Sequence, residues 1–431
     1  MISIAALRLK WAAHGSWEAL SMDMDTRQWP ADDGSRVPYW IYTDEDVYRS
    51  ELDRIWYGRN WLYAGLEAEV PEVGSYRTTT LGERSVIVVR SAENEISVLE
   101  NRCRHRGVEI CQARGGKVDD ITCPYHRWSY ALNGALQGVP FKRGVKGQGG
   151  MSKDFDQKEH GLHRLKVEVV NGVIWASFSE DTPPFREYLG ETMWKPYERI
   201  FSGRKLRVVG YNRQVVQANW KLVIENIRDS YHGALLHVFL PTFGLIRPDQ
   251  ANAILMDESG AHSCMVSSHA EGVDVDKQEY NFDDTMQLAD RRVIEAIKEL
   301  EGKETASMVC AFPSVILLQQ INALQIRHCV PKGPNEFELM WTHFGFEDDD
   351  EEMRARRVRQ ANLFGPSGYV SVDDSEIFAN AQRGFAMAAE GEEAVLKMGS
   401  GGREQLNENY YVASEGAVRG LYQYYREVME L

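Results

Sequence analysis

Two short motifs constrain this chain most: Cys103-x-His105 and, after seventeen intervening residues, Cys123-x2-His126. Two thiols and two imidazoles in paired short spacings form a metal-binding set drawn from two loops, so any fold must hold those loops side by side. Zinc accepts such a set. The order within the pairs suits something more specific, because each loop offers one Cys and one His. A [2Fe–2S] cluster with two thiolates on one iron and two imidazoles on the other needs one ligand to each iron from each loop. Cys111 lies outside the pattern and reads as a small buried residue. The six cysteines of the 431 residues are too sparse for a disulfide framework, which points to a reducing, cytoplasmic setting.

Around the motifs, residues 61–178 read as short strands separated by turns. SVIVVR (85–90), EISVLENR (95–102) and VEVVNGVIWASF (167–178) carry the pattern, and Asn171-Gly172 is a hairpin signal. Arg102, Arg104, Arg106 and Arg127 flank the candidate ligands, either to greet an acidic electron donor or simply as a solvated rim. Beyond Pro183 the texture changes. Residues 219–240 read as one buried helix, 314–330 and 337–346 as adjacent strands joined by a turn at 332–335, and 347–364 as a helix with an acidic start. The expected class is α+β, with an extension over 1–37, a small all-β domain over 38–180 and a larger domain over 181–431. Residues 1–21, ahead of Met22 and Met24, read as poorly ordered. Their charges follow the apolar stretch rather than precede it, unlike a secretory signal.

A second constellation lies in the larger domain: Glu225-Asn226-x2-Asp229-x-Tyr231-His232-x4-His237. Histidines five apart sit about 140° around an ideal helix, so both reach one metal only where the helix is distorted, as at a π-bulge. Two histidines and one carboxylate form the facial triad of non-haem Fe(II) sites. Asp229 competes with more distant acids for the third position.

Together the two motif sets resemble the large (α) subunit of Rieske non-haem iron ring-hydroxylating oxygenases, from about residue 38 to the end. The resemblance implies a Rieske [2Fe–2S] cluster on Cys103, His105, Cys123 and His126 in an all-β domain. It also implies a helix-grip (START-like) catalytic domain with mononuclear Fe(II) on His232, His237 and a third ligand. In that family the third ligand follows an FGPxG segment. Phe364-Gly365-Pro366-Ser367-Gly368 leads here to Asp373-Asp374, so Asp374 is the expected ligand and Asp373 the near alternative. Asp229 takes the bridging role between the iron site and the neighbouring subunit's cluster, with Asn226 and Tyr231 beside the iron and Glu225 an interface acid. A head-to-tail α3 ring, usually capped as α3β3 by a small β subunit, is implied as well.

The remaining sequence bounds the chemistry. No G-x-G-x-x-G dinucleotide fingerprint and no plant-type ferredoxin motif occurs, so electrons are expected from a separate ferredoxin and NAD(P)H-dependent reductase. A net charge of −15 argues against nucleic acid as a partner, and no apolar run is long enough to span a membrane. O₂ and an aromatic carboxylate are the expected substrates. ANLFGPSGYVSVDD, GVPFKRGVKGQGG and FGFEDDDEE resemble the aromatic-carboxylate branch, which includes salicylate 5- and 1-hydroxylases and anthranilate and terephthalate dioxygenases. Arg327 stands in the otherwise apolar INALQIRHCV, where it binds a substrate carboxylate, pairs with a protein acid or lies exposed at the strand end. A diacid would want a second cation, but the terephthalate-type position falls on Val412. That tilts the expectation to salicylate, giving gentisate or catechol, with anthranilate next. Leu235, Phe239, Leu324 and Tyr369 are candidate pocket walls.

Overall fold

The computed structural model describes residues 29–31, 33–246, 251–268, 286–399, 401–402 and 413–431. Three antiparallel sheets build the first part of the chain. One has four strands in the order Glu95–Glu100, Arg84–Ala92, Ser75–Leu81 and Gly115–Lys117. Another runs Lys166–Val170, Val173–Ser177 and Leu62–Leu66, with Asn171 and Gly172 closing its hairpin at positive φ, as their sequence suggests. The third is made of the short strands Ile121–Thr122, Ser129–Tyr130 and Leu136–Gly138. The run Val86–Val89 is apolar throughout because both its faces are buried. Val86 and Val88 enter the main core, whereas Ile87 and Val89 enter a separate core that holds Cys103, Cys123, Trp128 and Tyr130.

A seven-stranded antiparallel sheet forms the larger part, in the order Leu206–Val216, Glu336–Phe346, Ala323–Gly333, Val315–Gln320, Glu304–Ala311, Ser263–Ser268 and Ala251–Met256. The Phe185–Phe201 helix covers one face, packing Leu189, Tyr197 and Phe201 with Leu324, Ile326 and Phe344. Against the other face lie the Ser371–Ala386 and Gly416–Met429 helices, where Leu339, Trp341, Phe378 and Leu421 share a core. The helix expected over 347–364 forms at Glu351–Leu363, with the Asp350 carboxylate accepting from the Met353 N–H at 2.8 Å.

Two sequence expectations are corrected. Residues 314–330 form two strands, not one, turning at Ile321 (φ 52°) and Asn322. Asn322 drives that turn by bonding both the N–H and the carbonyl of Ile297, at 2.8 and 2.7 Å. The turn is masked in sequence because both strands are buried. Residues 219–240 form three short helices, Lys221–Asn226, Gly233–Leu236 and Phe239–Thr242. The fully buried Arg228 donates to the carbonyl of Gly260 at 2.7 Å and to that of Ala261, which anchors the chain to a neighbouring turn and ends the first helix. At the N-terminal side, Arg36–Pro38 pairs with Glu393–Val395, so residues 36 and 37, read as extension, are stitched to the larger part.

Candidate metal centres and active site

The break between helices positions the histidines. His232 caps the start of Gly233–Leu236 and His237 its end, where ψ turns to 71°. The Asp229 carboxylate accepts from the Tyr231 N–H at 2.9 Å, shaping the bend. No π-bulge is needed, because the irregular segment itself aims both rings at one point. Opposite them, Asp373 and Asp374 occupy the first turn of Ser371–Ala386, where the helix dipole favours carboxylates. Asp374 Oδ1 lies 3.6 Å from His232 Nε2 and 3.2 Å from His237 Nε2, and the three ligand atoms fall within 4.8 Å of one another.

Donors about 2.1 Å from one ion at right angles stand ~3 Å apart, close to the 3.2 and 3.6 Å from Asp374 to the two histidines, and the 4.8 Å bound on the set narrows when all three hold one ion. Charge fits as well. Burial acts to lower the His232 pKa, but the Asp229 hydrogen bond and the Asp374 charge outweigh it and hold it above the ordinary value, so the pocket favours a cation. Asp373 stands elsewhere, at 3.4 Å from His237 Nδ1, the nitrogen facing away from the convergence point. Asp229 plays the matching part for His232, with Oδ2 3.3 Å from Nδ1. Both carboxylates are placed to set ring orientation. Asn226 Nδ2 donates to Asp374 Oδ1 at 3.0 Å, and Tyr231 is partly exposed beside the bend.

In the β part, the two motif loops close on themselves. The N–H of Gly107 donates to Cys103 O at 2.9 Å and that of Arg127 to Cys123 O at 3.1 Å, with positive φ at Gly107 and Arg127. Cys103 and Cys123 are buried, whereas His105 is exposed and His126 half-buried. The imidazoles meet edge to face at 4.6 Å between centroids, and His105 stacks on Trp128. Thiols inside and imidazoles at the surface suit a cluster whose histidine iron meets redox partners. Tyr130 adds a contact that spacing does not reveal: its hydroxyl oxygen accepts from the Arg104 N–H at 3.2 Å and lies 3.2 Å from Cys103 Sγ, where its proton is free to donate to sulfur. Arg102, Arg104, Arg106 and Arg127 are all exposed.

Arg327 is buried, stacked 4.3 Å above the Trp341 ring, and close enough to Asp374 to feel its charge. Its hydrogen bonds, all at 3.4 Å, go to Gln325 Oε1 and the Phe364 carbonyl, and no carboxylate pairs with it among the described residues. Burial drives its pKa down to about 10, still charged at neutral pH. Leu324 is not brought to this place. Strand alternation puts it on the opposite sheet face, in the core under Phe185–Phe201. Phe239 stacks on Tyr369 at 5.4 Å, while Leu235 is 66% exposed and no contact ties it to Arg327. Val412 lies outside the described residues. Sequence reasoning missed Gln325, Trp341 and His343, which share Arg327's sheet face. Counting by two along each strand from Arg327 and its register partner Trp341 finds them.

Comparison with known proteins gives the family and the fold. Residues 203–431 match the family "Ring hydroxylating alpha subunit (catalytic domain)" and residues 60–148 the Rieske [2Fe-2S] domain. The chain is 45% identical over 410 residues to the large oxygenase component of salicylate 5-hydroxylase from Ralstonia sp, covering 93% of this chain and 96% of that one. It is 40% identical over 406 residues to the α2 subunit of the terephthalate 1,2-dioxygenase terminal oxygenase from Comamonas sp, covering 93% and 97%. Its fold superposes on naphthalene 1,2-dioxygenase from Rhodococcus sp. bound to indole, with a TM-score of 0.75 and 24% identity over 91% of this chain and 94% of that one.

Proposed function

Because the chain belongs to the ring-hydroxylating oxygenase α subunits, with a Rieske [2Fe–2S] domain and a catalytic domain for mononuclear iron, we propose that it is the terminal oxygenase of a salicylate-type hydroxylase. When bound, the two metal groups supply electrons and O₂ activation for hydroxylating an aromatic ring. Cys103, His105, Cys123 and His126 hold the cluster, and His232, His237 and Asp374 hold the iron. Asp229 and Asp373 orient the two histidines through their other nitrogens, and Asn226 steadies the Asp374 carboxylate.

One observation carries the substrate class. Arg327 is a buried cation without a carboxylate partner among the described residues, placed in the catalytic domain near Asp374. A bidentate substrate carboxylate completes it and holds the ring toward the iron ligands, with Phe239 and Tyr369 as candidate walls. The relatives that act on salicylate and terephthalate support the same class. A separate ferredoxin and reductase deliver the electrons, and the subunits assemble as α3 or, with a small β subunit, as α3β3.

The test is a single turnover of the reduced protein with O₂ and salicylate, anthranilate or terephthalate in parallel. Salicylate-dependent oxidation with gentisate or catechol as product is expected. Product from anthranilate or terephthalate alone would discard salicylate and keep the class. Arg327→Leu is expected to retain both metals and lose at least tenfold in salicylate affinity. Unchanged affinity would remove the carboxylate role.

A further inference from the structure

The polar atoms around Arg327 say more than its charge does. Gln325 pairs in register with His343, as Arg327 does with Trp341, and all four side chains are buried on one sheet face. Gln325 Oε1 accepts from Arg327 Nε and Nη2, but Gln325 Nε2 has no partner among the described residues. His343 Nε2 lies 2.7 Å from Asn212 Oδ1. A carboxamide oxygen only accepts, so the ring proton sits on Nε2 and Nδ1 presents a bare lone pair. Among the described residues that Nδ1 is also unpartnered, as is the Trp341 indole N–H. Burial, reinforced by the Arg327 charge, pushes the His343 pKa down to about 4, so the ring is neutral at physiological pH. A donor and an acceptor therefore lie buried on neighbouring strands beside a cation that lacks an anion, an arrangement that is costly unless a guest completes it.

Building on the binding of an aromatic carboxylate by Arg327, we propose that Gln325 and His343 form a second subsite that recognises a hydroxyl ortho to that carboxylate. The hydroxyl donates to His343 Nδ1 and accepts from Gln325 Nε2. In water an ortho hydroxyl closes onto its own carboxylate. With the carboxylate held by Arg327, its proton turns to Nδ1 instead. An ortho amine donates to Nδ1 but accepts poorly, because its lone pair is delocalised into the ring. Unsubstituted benzoate satisfies neither group. The expected order is 2-hydroxybenzoate, then 2-aminobenzoate, then benzoate.

Calorimetric binding to the oxidised, metal-loaded protein tests this with salicylate, anthranilate, benzoate and 2-fluorobenzoate, which is near benzoate in size and lacks a donor. Salicylate is expected to bind at least tenfold tighter than benzoate, with 2-fluorobenzoate no better than benzoate. In His343→Phe that advantage disappears while benzoate affinity stays within twofold of wild type. Equal binding of salicylate and benzoate by the wild type overturns the subsite and leaves the carboxylate reading standing. Binding of none of the four overturns both. If His343→Phe loses its Rieske spectrum through misfolding, the wild-type ligand series decides alone.

Discussion

At the scale of single residues, Tyr130 is placed to tune the cluster site. Its hydroxyl oxygen is occupied by the Arg104 N–H, which leaves the O–H proton for Cys103 Sγ at 3.2 Å. Donation to a cluster sulfur favours the more negative, reduced state. A hydrogen bond worth about 1 kcal/mol corresponds to ~40 mV for one electron. Tyr130→Phe is therefore expected to lower the Rieske midpoint potential by about that amount with the visible spectrum retained. An unmoved potential in protein-film voltammetry removes the donation. The candidate cluster ligands were legible as a set, because Cys-x-His and Cys-x2-His spacing is local chemistry. The choice between Asp373 and Asp374 was not legible in spacing, and only the FGPxG resemblance favoured Asp374. Neighbours on a helix point ~100° apart, so the roll of Ser371–Ala386 against its neighbours decides which of them meets the Nε2 atoms.

At the scale of the element, the short helix Lys221–Asn226 is tied into the body by buried polar groups. Lys221 Nζ meets Glu51 Oε1 at 2.5 Å, and Glu51 also accepts from Trp220 Nε1 at 2.7 Å and Tyr425 Oη at 2.6 Å. Glu225 accepts from Tyr422, whose hydroxyl lies 2.6 Å from that of Tyr42. The resemblance read Glu225 as an interface acid, and within its own chain it is held by Tyr422. Burial raises its pKa to about 7, although hydrogen bonds from Tyr422 and Tyr42 oppose the rise. The folded state thus keeps a proton that the unfolded chain releases near 4.5. Stability is unaffected by this group below that pH, falls as pH rises toward 7, and stays lower by up to ~3 kcal/mol above it. Glu225→Gln is expected to match wild type in thermal midpoint at pH 4.5 and to exceed it at pH 8. An equal gain at both values would refute the assignment. The break in this segment was invisible in sequence, because Arg228 ends the helix through carbonyls more than thirty residues away.

At the scale of the whole molecule, two metal sites lie in separately cored parts of one chain, the cysteines in one cluster of buried residues and the iron-bearing helices around another. If electrons pass between neighbouring chains, sites disabled on different chains complement each other. Co-expressing a His105→Ala chain with an Asp374→Ala chain is expected to give mixed oligomers with a substantial fraction of wild-type turnover, although each variant alone is inactive. Inactive mixed oligomers would confine transfer to a single chain. Asp229, beside His232 at the partly exposed bend, is the residue expected to serve that crossing.

By itself, the sequence determined the two metal-type motifs, the β-then-mixed order of the chain and the arginine in an otherwise apolar strand at 327, because ligand spacing, strand alternation and turn chemistry are local. Tertiary structure decided which carboxylate joins the histidines, why the histidine segment bends, and that Leu324 faces away while Gln325 and His343 flank Arg327. Those outcomes depend on helix roll and on strand register, both set by side chains far apart in sequence that meet only when the sheet and its helices pack.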